Sequence, residues 1–289
     1  MLCSIPAVNG GNAAENAKRR CKDGTVTPAS NPILQRSSAL TQFILAPNPG
    51  PMSLDGTNSY VISAAEADAS VVVDPGPADE GHLRRLADLG RVELILVTHR
   101  HADHTAGSVR LQELTGAPVR AADPRHCHGG EPLRDGETIR AAGVSIQVLA
   151  TPGHTSDSVC FHLPDDGAHG SVLTGDTILG RGTTMLDYPD GALGDYLESL
   201  DLLEAIGQAA VLPAHGPVLP SLEAIARAYR GHRLERLGQI REALQRLGRD
   251  ATVAAVADAV YADVEPSVRR AAEMSVAAQL DYLRGRAGG

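Results

Sequence analysis

The chain has no tryptophan and two phenylalanines, and aromatic residues make up 3% of its 289 positions. So low an aromatic content leaves few side chains on which nucleic-acid bases could stack. Its four cysteines, Cys3, Cys21, Cys127 and Cys160, show no C-x-x-C spacing and none of the regular framework of small disulfide-built domains. No apolar run is long enough to cross a bilayer as a helix. The opening MLCSIPAVNGGNAAENAKRR puts its basic group after the weak apolar stretch, the reverse of a secretory leader. Together these absences predict a cytoplasmic protein without membrane attachment. Basic charge is also short: 26 Lys and Arg stand against 35 Asp and Glu, a net charge of -9, which disfavours passive attraction to nucleic acid or anionic lipid.

What is present is a hydrophobic fraction of 43%, enough for a real core in one large domain or a domain with an appendage. Residues 1–35 are rich in Asn, Ala, Ser, Pro and Gly without a period and predict a disordered N-terminal tail. From Tyr60 short β-branched runs alternate with turns: YVI, SVVVDPG (70–76) and VELILVT (92–98), with leucines at 83, 86 and 89 marking an intervening helix. The second half repeats this in VSIQVLATPGHT (144–155), SVCFHL (158–163), SVLTGDTIL (171–179) and AAVLPAHG (209–216), with a helix around 194–206. The alternation predicts an α/β catalytic domain over 36–220. From Ser221 the pattern becomes helical without strands, predicting a helical C-terminal domain over 221–289, its last helix following Pro266. That region holds 11 basic and 9 acidic residues, so the acidic excess lies before it. Arg227, Arg230, Arg233 and Arg236 recur every three residues, a step about 60° short of a turn, so they spiral and read as a solvated helix surface.

The stretch THRHADHTAG (98–107) concentrates three histidines and an aspartate. With 11 His and 21 Asp in the chain, H-x-H-x-D-H arises by chance in about one such sequence in a thousand, so the motif calls for a function. Alternation along an extended chain puts His99, His101 and Asp103 on one side and His104 elsewhere, so two metals can be addressed. Imidazole and carboxylate are the usual zinc ligands. The remaining ligands come from afar: His154 in TPGHT, Asp176 in TGDT and His215 in PAHG each follow an apolar strand, and open α/β sheets gather functional groups beyond strand C-termini. His126, Cys127 and His128 in PRHCHGG form a weaker metal candidate, lacking a distant partner of matching kind. His82, His162, His169 and His232 read as satisfied or solvated histidines.

These residues resemble the metallo-β-lactamase superfamily, in which H-x-H-x-D-H, a downstream His, an Asp and a last His hold a two-metal centre between two β-sheets. The resemblance runs from about residue 50 to 220 and includes NPGPMSLDGTNSYVI, DPG, TPGHTSDS and GDTILGRGTT. It is most similar to the lactamase-beta-2-like branch, which includes an endoribonuclease and carries a winged-helix-like C-terminal domain. The resemblance implies a four-layer αββα sandwich. It implies that His99, His101 and His154 bind one metal, that Asp103, His104 and His215 bind the other, and that Asp176 bridges them. Asp103 and Asp176 are thereby the candidate catalytic carboxylates. An acidic bridge argues against antibiotic hydrolysis as the native task, because superfamily β-lactamases generally carry Cys or no acidic ligand there. His101 excludes the diiron flavoprotein pattern, which has Glu. Asp74, in DPG, has no place among the ligands and is expected either to orient them or to shape a turn.

The implied cofactors are two zinc ions, with iron or manganese as alternatives. Two cations about 3.5 to 4 Å apart lower the pKa of a water between them toward 7, which implies hydrolysis by a bridging hydroxide. The branch points to a phosphodiester in single-stranded RNA. The alternatives are a glyoxalase II-like thioester hydrolase of hydroxyacylglutathione type and a persulfide dioxygenase with one iron. A glutathione-type substrate wants a cationic pocket, and the Lys and Arg cluster of such thioesterases is not found near the C-terminus. His162, Asn58 and Tyr188 are general-acid candidates by loop position. A small molecule or RNA is the expected partner, with no membrane or protein partner.

Overall fold

A computed structural model of the chain describes residues 34–262 and 269–287. Its strands are β1 (Gln35–Arg36), β2 (Thr41–Leu45), β3 (Asn58–Ile62), β4 (Ala69–Val73), β5 (Arg91–Leu96), β6 (Val119–Arg120), β7 (Thr138–Ala141), β8 (Val144–Ala150), β9 (Val159–Leu163), β10 (Ser171–Gly175) and β11 (Ala210–Pro213). The helices are α1 (Glu80–Ala87), α2 (Ala102–Thr105), α3 (Ser108–Thr115), α4 (Leu193–Ile206), α5 (Leu222–Leu247), α6 (Val253–Val260) and α7 (Arg269–Ala287). Residues 1–33 of the predicted tail, and Pro266, lie outside the described residues; Gln35 and Arg36 pair with Phe43 and Gln42.

One sheet runs β1-β2-β3-β4-β5-β6, the other β11-β10-β9-β8-β7. Both are mixed: β4, β5 and β6 pair in parallel, as do β10 and β11, and the other pairs are antiparallel. The period-two rule explains the layering. Val71, Val73, Leu94 and Leu96 turn inward to meet Ile146, Val148, Phe161 and Leu173 of the facing sheet. Val72, Ile95 and Val97 turn outward onto Leu83 and Leu86 of α1 and Leu111 of α3. On the far side, Cys160, Val172 and Val211 pack against Leu193, Tyr196 and Leu200 of α4 and Tyr229 of α5. Strands covered on both faces read as continuous apolar runs, which is why VVV and LILV occur. The result is the four-layer αββα sandwich.

Helix ends follow local chemistry. Asp79 accepts from His82 N to start α1, and Ser221 accepts from Ala224 N to start α5. α1 stops at Ala87, so Leu89, expected within it, is 42% exposed. Helices α5, α6 and α7 close a small core of their own through Ile240, Ala243, Val256, Ala257, Val276 and Leu280. Among the described residues no helix is long and apolar enough to cross a membrane.

The two sheets are stitched together at one edge. Asn58 N donates to Ala214 O at 2.7 Å, Tyr60 OH to Pro213 O at 3.0 Å and Val159 N to Thr98 O at 2.9 Å. The C-terminal ends of β4, β5, β8, β10 and β11 all open at that edge, and the loops that follow them carry the histidines and aspartates singled out above.

Candidate metal centre

The chain leaves β5 through Val97 and Thr98, and His99 and His101 follow before α2 begins at Ala102. The turn of α2 changes the side-chain phase. Asp103 therefore joins His104 and His215, not His99 and His101 as extended alternation would place it. At the end of β10, Gly175 has φ +49, and a Cβ there would meet Thr98 Cβ at 2.8 Å. Glycine is what lets the TGDT turn of one sheet close against the end of β5 in the other.

All seven side chains converge. His99 Nε2 lies 2.9 Å from His101 Nδ1 and 3.3 Å from His154 Nε2, and His101 Nδ1 lies 3.1 Å from His154 Nε2. His215 Nε2 stands 3.3 Å from both Asp103 Oδ2 and Asp176 Oδ1, while His104 Nε2 is 3.7 Å from each of these oxygens. Ligands at about 2.0 Å on a tetrahedral ion sit roughly 3.3 Å apart, the spacing of both groups. Asp176 joins them: Oδ1 faces His215 and His104, and Oδ2 lies 3.7 Å from His154 Nε2. His104 Nε2, His215 Nε2 and Asp176 Oδ1 are buried without a hydrogen-bond partner, a costly arrangement unless a cation satisfies them.

Each imidazole is oriented by its other nitrogen. His104 Nδ1 donates to Asp74 Oδ2 at 2.9 Å, His154 Nδ1 to Met185 O at 2.6 Å, and His215 Nδ1 to Gly56 O at 3.1 Å. His101 Nε2 donates to Asp187 Oδ2 at 3.1 Å, and Arg100 donates to the same oxygen. Thr98 Oγ1 donates to Asp74 Oδ2 at 2.7 Å and accepts from His99 Nδ1 at 3.1 Å. These bonds leave five nitrogens facing the two groups, the tautomers ligation requires. Asp74 thus takes the orienting role. It sits at φ +53, a conformation aspartate tolerates better than most residues, at a cost of about 1–3 kcal/mol.

The electrostatics of the halves differ. Burial, reinforced by neighbouring His104 and His154, holds His99 well below its ordinary range, and burial also lowers His154. Burial opposes charge on His104, but Asp74 and Asp176 outweigh it and push the ring up to about 10. His215 is raised against burial by Asp176 and Asp103, and His215 and His104 in turn hold Asp103 below the usual carboxylate range despite its burial.

Other candidates have different employment. Asn58 Nδ2 donates to Pro213 O and Gly216 O, both at 2.9 Å, His162 Nδ1 meets Gln147 Oε1 at 3.0 Å, and Tyr188 packs against the helical core. His126, Cys127 and His128 form no ligand group among the described residues; Cys127 packs beside the β6 core. The reading of four solvated arginines holds in part: Arg227 and Arg230 reach the surface, but Arg233 is buried at 3% exposure. It falls in step with Leu222, Ala226, Tyr229 and Leu237 on the inward stripe of α5. Sequence reasoning missed Asp187 and Arg100, whose pairing spans 87 positions.

The metallo-beta-lactamase superfamily model matches residues 52–215. A beta-lactamase-like protein 2 homolog from Caenorhabditis elegans is 31% identical over 265 residues, 87% of this chain and 86% of that protein. An atrochrysone carboxyl ACP thioesterase from Aspergillus chevalieri is 32% identical over 223 residues, 74% of this chain and 68% of that protein. A metallo-beta-lactamase family protein from Thermus thermophilus shares the fold, with a TM-score of 0.71 at 23% identity over 86% of this chain and 94% of that one. The chain belongs to the metallo-beta-lactamase superfamily and is a hydrolase of that fold.

Proposed function

We propose that the seven convergent side chains hold two zinc ions and that the protein hydrolyses a thioester. The observation that carries the metal reading is Asp176, whose two oxygens face opposite ligand groups, with Oδ1 buried and unpartnered. His99 Nε2, His101 Nδ1 and His154 Nε2 would hold one ion; His104 Nε2, His215 Nε2 and Asp103 Oδ2 the other. When bound, two such ions polarise a carbonyl and acidify water enough to supply a nucleophile near pH 7.

The chain's own residues do the rest. Asp74, Asp187 and the carbonyls of Met185 and Gly56 fix the imidazoles, so little reorganisation accompanies reaction. Asp103 is 32% exposed where the other second-group ligands are buried, so a substrate would approach the centre from its side. Two of the three general-acid candidates are engaged elsewhere, Asn58 Nδ2 with Pro213 O and Gly216 O and His162 Nδ1 with Gln147 Oε1. That favours a leaving group able to depart unprotonated, and a thiolate, with its pKa near 8.5, does so far more readily than an alkoxide. The kinship with the fungal thioesterase points the same way.

A second reading, cleavage of single-stranded RNA, draws on the resemblance to the lactamase-beta-2-like branch, and the beta-lactamase-like protein 2 homolog from the nematode matches 87% of the chain. Against it stand a net charge of -9 and an aromatic content of 3%, which leaves few rings for bases to stack on. The test is a substrate panel with zinc-loaded protein: an acyl pantetheine thioester, a glutathione thioester, a single-stranded RNA oligomer and a cephalosporin. Chelator-sensitive thioester turnover with RNA left intact supports the proposal. RNA cleavage without thioester turnover overturns it in favour of the second reading.

A further inference from the structure

The longest of the described helices, α5, packs against the loop behind the candidate metal centre. Arg233 of α5 is 3% exposed, and its guanidinium lies over the ring of Tyr196 at 5.1 Å. It donates through one terminal nitrogen to the carbonyl of Thr184. Thr184 is buried as well, and its hydroxyl donates to the backbone carbonyl of Asp176. The next residue, Met185, supplies the carbonyl that orients His154 at 2.6 Å. One turn earlier on the same helix, Tyr229 OH contacts Leu179 N, Leu179 O and Gly182 O at 3.0 to 3.1 Å. Tyr196 OH donates to Thr177 O at 2.7 Å.

The segment so held, residues 176–185, starts at the bridging carboxylate and ends at the carbonyl that sets the His154 ring. A buried arginine is expensive, and α5 needs only an apolar residue here to continue the stripe of Ala226, Tyr229 and Leu237. Packing alone does not call for a guanidinium. A fixed planar donor aimed at one main-chain carbonyl does.

Resting on the two-metal reading above, we infer that Arg233 is a positioning residue for the metal centre: through Thr184 it fixes the loop that presents Asp176 and orients His154. The C-terminal helices are then part of the hydrolase, not a detachable appendage. Arg233 acts on both halves of the centre because one loop serves the bridge and a terminal ligand.

The test uses the full chain stripped of metal and titrated with cobalt(II), read by chelator competition and by visible absorption of the bound ion. Arg233→Met keeps the length and apolar contact of the side chain and removes its donors. It should retain the fold by circular dichroism, bind cobalt at least about tenfold more weakly and show an altered cobalt spectrum, the scale at which outer partners of ligands act. Arg233→Lys should recover part of the affinity, and Thr184→Val should shift affinity and spectrum in the same direction. Wild-type affinity and spectrum in a folded Arg233→Met overturn the inference. If that variant does not fold, the same result in both Arg233→Lys and Thr184→Val overturns it. A wild-type chain that binds no cobalt fails the two-metal reading itself, a distinguishable outcome that removes this inference with it.

Discussion

Asp74 Oδ2 accepts from His104 Nδ1 at 2.9 Å, and both residues are buried, at 2% and 0% exposure. The same carboxylate takes the amide and hydroxyl of Thr98 at 2.8 and 2.7 Å. Asp74 therefore ties the end of β4 to the end of β5 and to the second ligand group at once. Asp74→Asn keeps the shape and suits the left-handed backbone, but presents an N–H to groups that donate. We expect affinity for the second metal to fall about 10- to 100-fold with the first metal less affected, measured by chelator competition. Equal loss at both sites would contradict the assignment.

Asp176→Asn tests the bridge. An amide offers one neutral oxygen where two anionic ones face the two groups. Metal content should drop from two ions per chain toward one, and hydrolysis by at least about 100-fold, the scale seen when a group that stabilises developing charge is removed. Elemental analysis beside a turnover assay reads both, and retention of both would remove Asp176 from its role.

On the two-metal proposal, protons compete with the second cation. His104 is held up to about 10, above its ordinary 6.5, so it carries a proton at pH 7 that ligation must expel. His99 and His154, lowered by burial, already have free lone pairs there. Affinity for the second metal should therefore climb steeply between pH 6.5 and 8.5, by up to about tenfold per unit per proton released, and affinity for the first more gently. Competition titrations at three pH values separate these slopes, and parallel slopes would contradict the account.

His82 gives a second pH effect, away from the metals. Burial, reinforced by Arg85, lowers it from 6.5 to about 4, and its Nε2 lies 2.8 Å from Ser59 Oγ. The ring is neutral in the folded chain while the unfolded chain takes up a proton below 6.5. Its contribution is thus whole above pH 6.5 and lost as pH falls toward 4, on the order of 3 kcal/mol. Urea unfolding of the zinc-loaded chain at pH 7 and 5 should show a smaller acid loss in His82→Gln than in wild type. An equal loss would place the acid sensitivity elsewhere.

Much of the centre was legible because its signals are local. H-x-H-x-D-H lies within six positions, and His154, Asp176 and His215 each follow an apolar strand, where α/β geometry collects functional groups. The layers were legible too, since VVV and LILV are buried on both faces. The phase of Asp103 was not, because α2 starts between His101 and Asp103 and replaces an extended chain with a turn. Asp187 and Arg233 were invisible for a different reason. Their contacts with His101 and Thr184 span 86 and 49 positions and depend on how loops settle, which no spacing encodes. Arg233 did leave one trace, a cation on the apolar stripe of α5, masked by the three-residue rhythm of its neighbours.

The most direct test is anomalous diffraction from crystals of the zinc-loaded chain. Two peaks about 3.5 to 4 Å apart are predicted, one about 2 Å from His99 Nε2, His101 Nδ1 and His154 Nε2, the other equally close to His104 Nε2, His215 Nε2 and Asp103, with Asp176 between them. A single peak, or a pair that Asp176 does not join, would contradict it.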